Sequence, residues 1–183
     1  FKYDQGKGID YFDEKGNNLR KTFLRSPLNF SRISSRYSKK RFHPVLKRYK
    51  SHLGTDYVAP RGTPIRSVAD GVVTEARRNR GNGIYVKIKH NNKYSTQYLH
   101  MSKFAKKIKK GVRVTQGQTI GYVGSTGLAS GPHVCFRFWK NGIQVDPYKQ
   151  NDLPPGEPIS QIHHNTFEYI RLKYLEKLKI NLI

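Results

Sequence analysis

The sequence is short of acidic residues, of long apolar runs and of cysteine. Asp and Glu number 12 against 35 Lys and Arg, a formal net charge of +23 at pH 7. A field of that sign attracts polyanions: nucleic acid, phosphorylated lipid or a carboxylate-rich cell wall. No recognised nucleic-acid motif is present, and the basic residues are not interleaved with aromatics as a stacking platform, so nucleic acid is set aside as a partner. No run of 18 apolar residues occurs, so no segment reads as a membrane-spanning helix. No signal peptide is present, and the first residue is Phe1 rather than Met, which leaves room for a removed leader. A single cysteine, Cys135, excludes an internal disulfide and leaves the redox compartment undetermined. Apolar residues make up only 36%, but twelve Tyr and nine Phe supply bulk for one ordinary domain with extensions.

What is there changes along the chain. Residues 1–26 read as an N-terminal hairpin extension, with Glu14-Lys15-Gly16-Asn17 as its turn. Residues 31–50 are dense in Lys and Arg and read as an exposed, irregular segment broken at Pro44. From about 51 to 147, short alternating runs such as "GVVTEARR" and "GIYVKIKH" are separated by Gly, Pro and Asn. "VRVTQGQTIGYVGSTG" looks like another hairpin. Many short strands with frequent turns predict an all-β, antiparallel domain there. Residues 151–183 read as a linker and a C-terminal helix, with Asn165 as N-cap and Phe167, Ile170, Tyr174 and Leu178 as its apolar stripe.

Three stretches carry chemistry. "SHLGTD" places His52 four residues before Asp56 on a loop entering a strand, where an imidazole and a carboxylate can converge on one cation. "KYSTQYLH" puts Tyr94, Thr96, Tyr98 and His100 on one strand face, suited to a cleft wall. "HVCFRFW" alternates: Val134, Phe136 and Phe138 face the core, while His133, Cys135, Arg137 and Trp139 face the other way. That alternation argues against Cys135 as a core filler and leaves nucleophile or metal ligand. His133 and Cys135, two residues apart on a strand, stand about 6.6 Å apart along the chain. That is long for a thiolate–imidazole pair and comfortable for two groups flanking a metal and its water.

These stretches, together with "GVRVTQGQTIGYVGSTG" and "GPHVCFRFWKNGIQVDP", resemble in order and spacing the lysostaphin-type (LytM-like) zinc metallopeptidases. "YFDEKGNNLRKTFLRSPLNFSRISSRYS" further resembles the lead-in of Gram-negative murein DD-endopeptidases. The resemblance covers roughly residues 27–150 and implies an antiparallel β-sandwich-like peptidase domain there, with a groove above one sheet. It implies Zn²⁺ held by His52, Asp56 and the residue at position 135, with His133 as general base and His100 stabilising the oxyanion. The last metal ligand of the family is a histidine; here it is Cys135. Thiolate is itself a good zinc ligand. A His, Asp, Cys⁻ set cancels both charges of the ion, which implies tighter zinc and slower chemistry.

The function implied is a zinc endopeptidase that cuts peptide cross-links of bacterial peptidoglycan, with Arg137 and Tyr98 as substrate-binding residues. The location implied is the cell envelope, periplasmic or secreted, with anionic envelope polymers as further partners and a monomeric state. The alternative is a degenerate, non-catalytic wall-binding or amidase-activating module, for which Cys135 is the supporting feature.

Overall fold

The computed structural model describes residues 1–6, 8–29, 31–43, 47–150, 153 and 155–180. The chain forms two compact units, one from Phe1–Thr22 with Asp152–Ile183 and the other from Phe23–Asn151.

In the first unit, β1 (Lys2–Asp4) and β2 (Ile9–Tyr11) pair antiparallel, with Tyr3 opposite Asp10. The predicted turn follows this pair rather than joining it. The Asp13 carboxylate accepts from the N–H groups of Lys15 and Asn17, and Gly16 sits at φ +76°. Helix α1 (His164–Ile180) is entered directly from a 3-10 turn over Gln161–His163, so Asn165 lies inside it and is not its N-cap. Phe167 is buried with Tyr3 and Phe12, and Ile170 packs at the edge of that cluster. Tyr174 and Leu178 stay exposed. The strands of the β1–β2 hairpin are three residues long, too short to cover the whole predicted stripe.

The second unit is the predicted antiparallel β domain. It comprises β3 (Arg32–Ser35), β4 (Ser38–His43), β5 (Arg48–His52), β6 (Thr55–Val58), β7 (Pro64–Arg66), β8 (Gly71–Asn79) and β9 (Gly83–Lys89). It continues with β10 (Tyr94–Phe104), β11 (Arg113–Val114), β12 (Thr119–Val123), β13 (His133–Lys140) and β14 (Ile143–Val145). The main sheet runs β11-β8-β9-β10-β13-β6-β3, with β14 on β13. Strand β10 pairs with β9 and β13 over its first half, then bulges and carries β12, which in turn carries β7.

The core fills as the alternation predicts. Val134, Phe136 and Phe138 of β13 are buried, as are Ile65, Val68 and Ile120. The Val68 N–H donates to the Tyr98 hydroxyl at 3.0 Å, which ties the β7 side of the core to β10.

Two sequence expectations change. The basic segment is not irregular: β4 and β5 form a hairpin in which Phe42 and Tyr49 meet edge-to-face at 5.8 Å and Lys40 lies over the Tyr49 ring. Ladder bonds and one aromatic pair order a segment whose charge suggested disorder. Pro44 lies outside the described residues. Strands β11 and β12 do not pair with each other; β11 joins β8.

Glycine matters most where β9 meets the loop after β12. Gly83 has φ +65°, and a Cβ there would run into the Thr126 carbonyl. Gly127 has φ +76° and packs on the Gly83 backbone. The Leu128 N–H donates to the Gly81 carbonyl at 3.0 Å, closing the clamp. Gly83→Ala is expected to lower unfolding stability by about 2–4 kcal/mol, from strain and overpacking together. Chemical denaturation checks this, with Gly117→Ala as a control: it shares a positive φ of +81° but has open space around it.

Candidate metal centre

His52 ends β5, and two residues later the chain enters β6, which carries Asp56. Strand β13 lies beside β6 in the register that sets Cys135 opposite Asp56. The three side chains are buried, and their donor atoms lie within 4.8 Å of one another. His52 Nε2 is 2.9 Å from Asp56 Oδ1 and 3.5 Å from Cys135 Sγ. Around a tetrahedral zinc, with bonds of about 2.0–2.3 Å, neighbouring ligand atoms stand roughly 3.3–3.7 Å apart, a spacing that the two His52 distances approach.

The arrangement decides between the two readings of Cys135. In a nucleophilic triad the carboxylate holds one imidazole nitrogen and the nucleophile the other. Here the carboxylate and the thiol converge on the same nitrogen, Nε2. His52 Nδ1 donates to the Arg36 carbonyl at 3.1 Å, which aims Nε2 at the cluster: without a metal Nε2–H donates to Asp56, and a cation taking that proton's place meets the Nε2 lone pair. Burial, followed by the charge of Asp56, pushes the Cys135 thiol up to about 12. Without a cation it stays a thiol at neutral pH. Burial also opposes ionisation of Asp56, but the hydrogen bond and charge of His52 outweigh it and hold the carboxyl below its usual range.

His133 and His100 face this cluster. His133 Nε2 is 3.9 Å from Asp56 Oδ1, and the two rings have centroids 4.7 Å apart. Each ring is fixed by a backbone carbonyl: His133 Nδ1 donates to Gly131 at 2.8 Å and His100 Nδ1 to Thr126 at 2.7 Å. A carbonyl only accepts, so in the neutral rings Nε2 carries the lone pair. Burial depresses His100 to about 4.

The site opens into a cavity of about 480 Å³ whose lining includes His52, Asp56, His100, His133, Cys135 and Arg137. Tyr98 is absent from it. His100 sits in the β10 bulge at φ +63°, and the register shifts between Tyr98 and Met101. The bulge breaks the predicted alternation, so His100 reaches the groove while Tyr98, wholly buried, turns into the core. Leu99 lies with Cys135 and Tyr85 on the opposite side of β10 from Tyr98.

Two contributors escaped the sequence reading. Thr126 holds His100 through its carbonyl, and its hydroxyl donates to the Met101 carbonyl and accepts from the Ile84 N–H. The glycines around it were the available signal. Arg41, on β4, places Nη1 2.8 Å from Ser35 Oγ and Nη2 3.5 Å from Asp56 Oδ2. Reading its segment as irregular hid it.

The antiparallel fold and this donor cluster together define a metallopeptidase-type domain. Residues 50–147 match Peptidase family M23, and the chain belongs to that family. It is 45% identical over 170 residues to the peptidoglycan DD-endopeptidase ShyC of Vibrio cholerae, covering 93% of this chain and 39% of that protein. The chain thus spans about two fifths of that relative's length. Among solved structures it resembles a zinc-containing peptidase from Vibrio cholerae, with TM-score 0.67 and 36% identity over 84% of this chain and 50% of that one. It also resembles the lysostaphin catalytic domain of Staphylococcus simulans, with TM-score 0.56 and 27% identity over 64% of this chain and 90% of that one.

Burial of His100 links stability to pH. Its imidazole takes a proton near its ordinary pKa of about 6.5 when unfolded but only near 4 when folded. The unfolded state therefore binds more protons between those values, and stability falls as pH drops through that window. His90, half-buried and likewise depressed by desolvation, adds to the slope. His100→Asn, which tolerates the positive φ, is expected to flatten the slope partly in urea titrations of metal-free protein at pH 7 and 4.5.

Proposed function

We propose that this chain is the catalytic part of a zinc-dependent endopeptidase that hydrolyses peptide cross-links of bacterial peptidoglycan at the cell envelope. One observation carries the reading: His52 Nε2, Asp56 Oδ1 and Cys135 Sγ converge, with two carbonyl-fixed imidazoles facing them. The similarity to the peptidoglycan DD-endopeptidase ShyC supports the substrate class.

His52, Asp56 and Cys135 would hold the ion. Bound there, zinc supplies Lewis acidity that polarises a carbonyl and makes a water easier to deprotonate. The chain's own residues do the rest. His133, with its Nε2 lone pair toward the cluster, accepts the proton of the attacking water. His100 has its Nδ1–H committed to Thr126, so its neutral ring presents an acceptor at Nε2. It donates to an oxyanion only after it has taken a proton. This modifies the expected role of a standing oxyanion donor: the imidazole pair forms a proton relay, and whichever ring is charged becomes the donor.

The net charge of +23 suits recruitment to an anionic polymer, by a field that salt screens. A wall-binding module without activity is the competing reading, favoured by cysteine in the third ligand position.

Digestion of purified sacculi, with products identified by mass, separates the two. Zinc-loaded protein is expected to convert cross-linked dimers to monomers, and His133→Ala to slow this by about 10²–10⁴-fold. Unchanged muropeptides in the presence of loaded protein would leave only the binding module. Zinc per chain, measured alongside, is expected near one and to fall sharply in His52→Ala.

A further inference from the structure

Arg137 follows Cys135 by two residues on the same face of β13 and lines the same cavity as the donor cluster. Both side chains pack over Gly54: Arg137 Cγ and Cys135 Sγ each lie 3.0 Å from the point where a Gly54 side chain would begin. Arg137 Nε is buried without a hydrogen-bond partner, and among the described residues no carboxylate pairs with the guanidinium. A half-buried cation with no anion of its own needs a reason to be there.

The ligand set supplies one. Zn²⁺ bound by a neutral imidazole, a carboxylate and a thiolate has no net charge, whereas a second imidazole in place of the thiolate would leave one positive charge. Arg137, whose side-chain stem packs with the sulfur over Gly54, supplies a positive charge that offsets the difference. We propose that Arg137 is a positioning residue for Cys135: it compensates the thiolate, orients it, and keeps the ion electrophilic. The other anionic ligand already has a guanidinium of its own: Arg41 Nη2 lies 3.5 Å from the outer oxygen of Asp56. This assigns Arg137 a role on the metal rather than the grip on substrate expected from sequence, and it rests on the proposed zinc site.

The test uses purified protein stripped of metal and loaded with Co²⁺, whose thiolate charge-transfer band reports the electron density on sulfur. Native protein is expected to show the band, and Cys135→His to lack it. Arg137→Ala is expected to move the band to lower energy, and Arg137→Lys to restore most of its position. In zinc-loaded protein, Arg137→Ala is expected to lower kcat about 10–100-fold with KM within about twofold. The same substitution in Cys135→His is expected to cost at least tenfold less. An unmoved band overturns the proposal, as does a raised KM at constant kcat or an equal loss in both backgrounds. If Cys135→His does not fold, the band positions of Arg137→Ala and Arg137→Lys decide alone. Protein that takes up neither ion removes the metal reading itself, an outcome distinct from metal uptake that ignores Arg137.

Discussion

The pairing of β6 with β13 sets Cys135 directly opposite Asp56, and everything at the site depends on that register. A slip of one residue would turn either side chain to the far face of the sheet and leave the cluster with two donors. What prevents the slip is the other face. Val134, Phe136 and Phe138 alternate with the functional residues and are buried in the core, with Tyr57 of β6 among them. Moving the ligands would expose that apolar face, at roughly 1.5–3 kcal/mol for each large side chain. The hydrophobic effect thus fixes a polar geometry it never touches.

Much of this was legible from residue order. Period-two alternation in "HVCFRFW" put Val134, Phe136 and Phe138 in the core and His133, Cys135 and Arg137 toward the cavity, because a strand offers only two faces. The loop from His52 to Asp56 was legible for a similar reason: Gly54 leaves room for a tight entry into β6. The third dimension was not. Alternation assumes an unbroken strand, and the bulge in β10 interrupts it between Tyr98 and Met101. No residue in "QYLHMS" announces a bulge, since the positive φ falls on His100 and not on a glycine. Tyr98 was therefore assigned to the groove when it belongs to the core. Arg41 and Thr126 were missed because their roles depend on hairpin and loop contacts far apart in sequence.

The bulge is also what makes the imidazole pair. It lifts His100 out of the strand's alternation and toward His133. A left-handed backbone at a non-glycine residue costs about 1–3 kcal/mol and persists only where the surroundings impose it. Here the His100 N–H donates to the Asn82 carbonyl and its ring to the Thr126 carbonyl, so both ends of the residue are held. Strain, tautomer and ring orientation are therefore set together by one loop and one turn.

That loop has one more property. From Thr126 to His133 it is fastened by main-chain groups at Gly81, Gly83 and Gly124 and by the Thr126 hydroxyl at Met101, while Leu128, Ser130 and Pro132 line the cavity. The parts that hold the chemistry and the parts that meet whatever enters the groove are thus carried by the same few residues but by different atoms. Side chains at 128 and 130 can be exchanged without altering any bond that positions His100 or His133. The lining of the groove can thus vary while the geometry of the imidazole pair stays as it is.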